Sequence, residues 1–138
     1  MAELHIDEAA LQADVMSKLE TFTTAFVHRV VAEAKQLAPE RSGNLKRLIV
    51  PDAVRRVGPW SLASGVSVLA DYAAPVHEGA RPHVIRPRNA RALRFEVAGG
   101  RVVFARRVNH PGNRPNPFLR NAVHRVASAD PRITVGER

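Results

Sequence analysis

The chain has 138 residues, of which 45% are hydrophobic and 25% charged, and this composition fits one globular domain. It has no cysteine, which excludes disulfides, thiol catalysis and cysteine-ligated zinc. The acidic start is not a signal peptide, and no apolar run approaches the roughly 20 residues of a membrane span.

The net charge of +8 is unevenly distributed along the chain. The first forty residues contain seven acidic and three basic side chains, whereas the remainder contains six acidic and eighteen basic ones. This asymmetry predicts two electrostatic faces, and a basic face can meet either nucleic acid or an acidic protein.

Residues 7–38 are predicted to form one long helix, capped by Asp7 and ended by Pro39. Its apolar residues recur at spacings of three and four, which places them on one face. They are Leu11, Val15, Leu19, Phe22, Phe26, Val30, Ala34 and Leu37. A helix of roughly 45 Å is longer than the core of one small domain needs. Two interpretations stay open: the stripe packs only on its own sheet, or part of it packs on a neighbouring subunit.

Residues 46–108 are predicted to form a β-sheet region. The stretches 46–57 and 60–70 alternate as strands do, and Pro51 predicts that the first is an edge strand, bulged or short. A short corner at 72–79 follows, and "HVIRP" (83–87) predicts another short strand.

The clearest β signal is "RALRFEVAGGRVVFARRV" (91–108), a predicted hairpin closed by Gly99 and Gly100 in a two-residue turn. In that register Val97 lies opposite Val102 and Phe95 opposite Phe104, all on the side that faces the core.

An extended arm is predicted at 109–117, followed by a helix at 117–129 with Asn116 as its N-cap, and by a loose tail at 130–138. The apolar face of that helix is predicted to be Phe118, Leu119, Ala122, Val123 and Val126. The element order predicts a single α+β domain. In this predicted domain, a long N-terminal helix packs on an antiparallel β-sheet that contains the Gly-Gly hairpin, and a short C-terminal helix follows.

The corner "YAAPVHEGARPH" (72–83) gathers His77, Glu78 and His83. A zinc-protease helix needs H-E-x-x-H, but here the second histidine is missing and Gly79 breaks a helix. Adjacent side chains such as His77 and Glu78 point apart, which weakens an acid–base interpretation. The spacing of His77, His83 and His110 does not require a metal. No catalytic, metal or cofactor site is predicted, and Glu78 is expected to pair with an arginine.

Arginines crowd into the hairpin region and define a predicted basic face: Arg81, Arg86, Arg88, Arg91, Arg94, Arg101, Arg106 and Arg107. Phosphate contact needs little more than such a patch. Because Phe95 and Phe104 are predicted to face the core, few residues remain to stack on bases. A solvated basic face or a subunit interface is therefore preferred to nucleic-acid binding. In a ring, protein–protein contacts are favoured because a basic lumen would retain DNA.

Four stretches in order resemble a known family: "APERSGNLKRLIV", "DYAAPVHEGARPHVI", "RALRFEVAGGRVVFARRVNHPG" and "RPNPFLRNAV". The family comprises the small tail-completion or head–tail connector (neck) proteins of long-tailed bacteriophages, similar to minor tail protein Z. The resemblance covers about residues 10 to 127. It implies a virion structural protein that is not an enzyme and binds no cofactor. Its relatives form rings, commonly sixfold, between the tail tube protein and the head connector or stopper proteins.

The stretches that carry the resemblance supply the candidate subunit or partner interface. Its residues are Arg41, Ser42, Gly43, Leu45, Tyr72, Glu78, Gly79, His110, Pro111, Arg114, Pro115, Pro117 and Phe118. The acidic first forty residues and the basic remainder are expected to meet head to tail, and the arm is expected to reach a neighbour.

Two alternatives remain. The hairpin also resembles that of small RNA-cleaving toxins, with Arg94, Arg106 and His110 as their acting residues. The long leading helix and the "PNPFLRNAV" segment speak against it. The second alternative is a DNA-binding protein. If the chain is instead a neck protein, its basic face allows passing contact with DNA.

Overall fold

A computed structural model of the protein describes residues 1–39 and 44–136. The helices are α1 (Glu8–Leu37), α2 (Asn44–Arg47), α3 (Ala73–Glu78) and α4 (Phe118–Ser128). The strands are β1 (Ile49–Pro51), β2 (Arg55–Gly58), β3 (Ser61–Ala63), β4 (Val66–Val68), β5 (His83–Ile85), β6 (Leu93–Val97), β7 (Arg101–Ala105) and β8 (Val108–His110). The predicted α+β class, with a long first helix, antiparallel strands and a short last helix, is confirmed.

The chain forms two compact units where the sequence predicted a single domain. Unit 1 comprises Met1–Ala73 and the segment from Pro117 onward, and unit 2 comprises Ala74–Asn116. Within the described residues the strands form four separate antiparallel pairs, β1–β4, β2–β3, β5–β8 and β6–β7.

Both ends of α1 follow from local sequence. Asp7 Oδ1 accepts a hydrogen bond from the Ala10 amide at 3.0 Å, which satisfies one of the free N–H groups of the first turn. Ala38 precedes Pro39 and has extended backbone angles (φ −65°, ψ 138°), because the proline ring disfavours a helical residue before it.

The buried face of α1 differs from the predicted stripe. Its buried residues are Met16, Val27, Val30, Val31 and Ala34, and they lie towards α4 and the strands of unit 1. Leu11 and Val15 are 50% and 40% exposed. The prediction was therefore correct for Val30 and Ala34 and wrong for Leu11 and Val15. In the N-terminal half, the residues that contact the rest of unit 1 are Met16, which is buried, and Gln12, whose Nε2 donates to Pro59 O at 2.8 Å.

Each of the two long strands predicted before residue 70 is interrupted in the middle. Asp52 lies at the break, where its amide donates to Gly65 O at 2.9 Å and its Oδ1 accepts from Ser67 Oγ at 2.6 Å. These contacts join the β1–β4 and β2–β3 pairs into one bent hairpin. The shortness of β1, which ends at Pro51, agrees with the expectation from that proline.

The last helix packs against the first. Phe118, Ala122 and Ala127 are its buried residues, and Arg125 Nη1 donates to Glu33 Oε1 at 2.9 Å. The predicted Asn116 N-cap is wrong: Pro117 occupies the cap position without a side-chain hydrogen bond, and the Asn116 amide donates to Val76 O at 3.1 Å.

The segment after α4 is held in place over its first residues, so the predicted loose tail is wrong there. Asp130 is buried, and its carboxylate accepts hydrogen bonds from Arg132 Nε at 2.9 Å and Arg132 Nη2 at 2.7 Å. Arg29 Nη2 lies 3.8 Å from the same carboxylate, and the Arg132 guanidinium stacks 4.6 Å above the Phe22 ring. A bidentate pair of this kind has a fixed geometry.

Asp130→Asn is expected to make the stability of unit 1 less dependent on acid pH. Hydrogen bonds from the Arg132 side chain lower the pKa of Asp130 from 3.8 to about 2. Such a carboxylate stabilises the fold above its unfolded pKa, and this contribution is lost as the pH falls towards 2. In thermal melts from pH 7 to pH 2, the variant should have a lower Tm at pH 7 and converge with the wild type at the acid end.

The matched control is Asp71→Asn, at an exposed carboxylate that forms no ion pair with the described residues. It should leave Tm unchanged across the range. A Tm difference for Asp130→Asn that stays constant from pH 7 to pH 2 would refute the assignment.

Candidate interaction surfaces

Unit 2 begins with α3 and ends with an arm that folds back on it. Ala80 and Asn113 exchange backbone hydrogen bonds of 3.0 and 2.9 Å, and Asn113 Nδ2 donates to Pro75 O at 2.9 Å. Gly79 has φ +83°, and a Cβ there would lie 2.9 Å from Pro115. The arm is thus attached to its own unit by its backbone, and its first residues, Asn109 and His110, belong to β8. Contact with an adjacent subunit stays a prediction for its exposed side chains, those of Pro111, Arg114 and Pro115.

The pairing of β5 with β8 places His83 directly opposite His110, with ring centroids 5.0 Å apart. His83 Nδ1 donates to Arg81 O at 2.8 Å, since a carbonyl oxygen only accepts. His110 Nδ1 accepts from the Gly112 amide at 3.1 Å. Each ring therefore fixes a neighbouring backbone turn. No group of three or more His, Asp or Glu side chains in residues 1–39 and 44–136 is placed to hold a metal ion.

The predicted arginine partner of Glu78 is not found among residues 1–39 and 44–136. Glu78 is exposed at the end of α3 and forms no ion pair with the described residues. Tyr72, a predicted interface residue, is 45% exposed, so its side chain is accessible to a partner. A pair between Glu78 and an arginine of another subunit stays a prediction.

The remaining predicted interface residues separate by burial. Leu45 and Phe118 are packed inside unit 1, at 4% and 0% exposure, so they offer no contact surface to a partner. Pro117 is half-buried. Arg41, Ser42 and Gly43 lie outside the described residues.

The arginines of unit 2 are all exposed, including Arg114 in addition to the eight of the predicted basic face. None of the nine forms an ion pair with a described residue, whereas Arg29, Arg125 and Arg132 of unit 1 all do. Unit 2 has only two acidic side chains, Glu78 and Glu96. Nine arginines against two carboxylates give a net charge of +7 without internal compensation.

The register of the β6–β7 hairpin differs by one residue from the prediction. Val97 pairs with Arg101 and Arg94 with Phe104, and Gly99 and Gly100 in the connecting turn have φ +92° and +77°. Ala98 joins the two glycines in a three-residue turn. Because side chains alternate along a strand, a shift of one residue in the pairing changes which side chains share a face.

The observed register separates the two phenylalanines of the hairpin. Phe95 lies on the face that carries Val97 and Val103, whereas Phe104 lies on the opposite face beside Arg94. Phe104 is 66% exposed, and the prediction that it faces the core is wrong. Phe95 and Val102, predicted on the same core-facing side, are also exposed, at 37% and 38%. The signal that would have found this is Ala98, a third residue that fits a three-residue turn with glycine in the left-handed position.

The N-terminal end of α1 and the segment before it present a second surface. Leu4, Ile6, Leu11 and Val15 are all exposed there, among the acidic residues Glu3, Asp7, Glu8 and Asp14. Single exposed apolar residues are ordinary, but a contiguous group indicates an interaction site. The sequence indicated this surface through the length of the helix, which exceeds what the core of one small domain needs. In the structure, the apolar residues that the core does not cover lie at the N-terminal end of the helix.

The described residues of unit 1 also line open clefts, two of them of about 390 and 490 Å³. The first is lined by Glu20, Thr24, Val27, His28, Pro51, Asp52, Ala53 and Val54, and the second by Arg29, Ala32, Glu33, Gln36, Arg125, Val126 and Ala129. Neither brings three His, Asp or Glu side chains of the described residues into metal-binding range. The residues of the toxin alternative are not on one sheet: Arg94 lies in β6, paired with β7, whereas His110 lies in β8, paired with β5.

Comparison of the chain with protein-family models, with curated proteins and with solved structures gives no match. Among the helices that the structure describes, none is both long and apolar enough to cross a membrane.

Proposed function

We propose that this chain is a structural protein of a long-tailed bacteriophage virion. It forms a ring, most simply of six copies, at the head–tail junction, as a neck, tail-completion or tail-terminator protein. The ring joins the tail tube to the head connector, assembles in the host cytoplasm, and performs no catalysis. The neck role rests on the resemblance of the four motif stretches.

The observation that carries the ring is the exposed apolar end of α1. A 30-residue helix whose buried residues begin only at Met16 leaves Leu11 and Val15 exposed, although Gln12 Nε2 donates to Pro59 O at 2.8 Å in the same unit. Leu11 and Val15 are 50% and 40% exposed, so a neighbour that covered them fully would contribute about 1 kcal/mol of transfer free energy for each.

A second copy of the chain is the occupant that fits this end. The acidic side chains around Leu11 and Val15 are complementary in charge to the basic unit 2. Because the two surfaces are different, the contact is heterologous, and a heterologous contact closes a ring when its rotation divides a full turn.

The test is the mass of the purified chain by native mass spectrometry and light scattering. The wild type is expected to form a closed ring, and the double variant Leu11→Glu, Val15→Glu is expected to be monomeric with unchanged far-UV circular dichroism. Ser17→Glu, at an exposed position on the same helix, is the matched control and should retain the ring.

A ring in solution does not by itself locate the protein in the virion. Electron microscopy of particles that carry a labelled copy tests the neck assignment, with the label expected where the tail tube meets the head. A strict monomer at high concentration and a particle without label at the neck would together refute the proposal.

A further inference from the structure

We propose that unit 2 binds single-stranded nucleic acid, with its arginines on the phosphates and Phe104 stacked on an unpaired base. The inference stands on the surface of unit 2 alone and does not require the ring or the neck role. It reverses the interpretation of the basic face from sequence, which depended on Phe104 being buried.

The first step is the uncompensated charge. All nine arginines of unit 2 are exposed, and none pairs with a carboxylate in the described residues. A guanidinium presents a rigid set of donors that matches the oxygens of a phosphate. A linear polyanion can meet many such groups at once and releases counterions as it does so.

The second step is the exposed aromatic ring. Phe104 is 66% exposed on β7, directly opposite Arg94 on β6. Residues paired across an antiparallel ribbon have Cβ atoms about 4.5–5.5 Å apart. A flat ring next to a guanidinium is the combination that proteins use for single strands, since a base stacks on the ring while its phosphate meets the cation.

The third step weighs nucleic acid against an acidic protein. Arginine is enriched in protein–protein interfaces too, so the arginines alone do not distinguish the two kinds of partner. The excess of charge does, because unit 2 has nine exposed arginines against two carboxylates and its partner must supply many negative charges to match them. A neighbouring copy in a ring would neutralise this charge only in part, because the first forty residues carry seven acids against three basic residues, a net −4 against the +7 of unit 2.

Glu96 is the one carboxylate on the Phe104 face of the hairpin, opposite Val102. It lies where a phosphate would approach Arg94, so it opposes binding. Removal of the Glu96 charge is therefore expected to raise the affinity for nucleic acid, a result that an unfolded variant would not give.

The experiment measures the anisotropy of a labelled 20-nucleotide single strand and of the matching duplex, between 50 and 200 mM salt. The wild type is expected to bind the single strand more tightly. Arg94→Ala with Arg106→Ala should weaken single-strand binding at least fivefold and reduce the salt slope by about 1.4, for two lost phosphate contacts. The matched control, Arg55→Ala with Arg120→Ala in unit 1, should stay within twofold of the wild type.

Two single variants separate stacking from charge. Phe104→Ala should weaken single-strand binding about tenfold and duplex binding less than twofold. Glu96→Gln should strengthen both about twofold, since a repulsive carboxylate is removed. Circular dichroism confirms that each variant is folded.

Three results would overturn the proposal. The first is an equal loss from the unit 1 and unit 2 arginine pairs, which indicates that net charge alone acts. The second is a Phe104→Ala protein that binds the single strand as the wild type does. The third is polyglutamate that competes as well as the oligonucleotide at equal charge, which assigns the surface to an acidic protein.

Discussion

Replacing Phe118 with alanine is expected to lower the free energy of unfolding of unit 1 by about 3–5 kcal/mol. Its side chain is fully buried in the first turn of α4, the helix that packs on α1. Alanine loses the transfer free energy of the ring and leaves a cavity that its neighbours fill only in part. Because a domain of this size is stabilised by about 5–15 kcal/mol, a large part of the total would be lost. Urea unfolding followed by far-UV circular dichroism measures it.

Val123→Ala is the matched control on the same helix. Val123 is 36% exposed, and alanine has the higher helix propensity, so the expected change is below about 1 kcal/mol. Equal losses from the two variants, or a loss below about 1 kcal/mol for Phe118→Ala, would contradict the packing described for α4.

Gly112→Ala is expected to destabilise unit 2 by about 3 kcal/mol or more. Gly112 has φ +80°, and a Cβ there would lie 2.3 Å from Ala80 O and 2.9 Å from the Arg81 carbonyl carbon. Both atoms are backbone, so no side chain can move aside. The hydrogen bonds between Ala80 and Asn113 would have to break for the methyl group to fit.

Trypsin provides the measurement, because Arg107 is exposed and precedes Val108, the first residue of β8, which pairs with β5 next to this contact. Cleavage there follows the population of the opened state, and about 3 kcal/mol corresponds to roughly 150-fold faster cleavage. Gly99→Ala is the control, since Gly99 also has positive φ (+92°) but open space around it. Its cost is about 1–2 kcal/mol, and equal cleavage rates for the two variants would refute the backbone clash.

The sequence predicted those elements whose causes are local. The helix from Glu8 to Leu37 matches the predicted 7–38 because a capping aspartate, a helical spacing and a terminating proline all lie within it. The last helix was found for similar reasons, but its cap was assigned to Asn116, whose amide is used elsewhere in the fold. The preference of asparagine for N-cap positions does not predict that the Asn116 amide donates to Val76 O, a contact made by a residue distant in sequence.

What the sequence did not predict depends on distant contacts. The break at Asp52 requires Gly65 and Ser67 on another strand, and the β5–β8 pair joins segments more than twenty residues apart. The hairpin turn was predicted correctly in place but one residue too short, and this single residue moved Phe104 to the opposite face. For the candidate surfaces, composition indicated the basic region, but only the pairing register showed which aromatic ring lies beside it.

The absence of any fully buried side chain in Ala74–Asn116 has a thermodynamic consequence for what this unit binds. Two-stranded ribbons are marginally stable in water on their own, so the folding of unit 2 is sensitive to any ligand that prefers the folded form. By mass action, a partner at one hundred times its Kd adds about 2.7 kcal/mol of stability. If the arginine surface binds the proposed ligand, folding and binding of unit 2 are therefore linked, and the ligand would add to the stability of the ribbons.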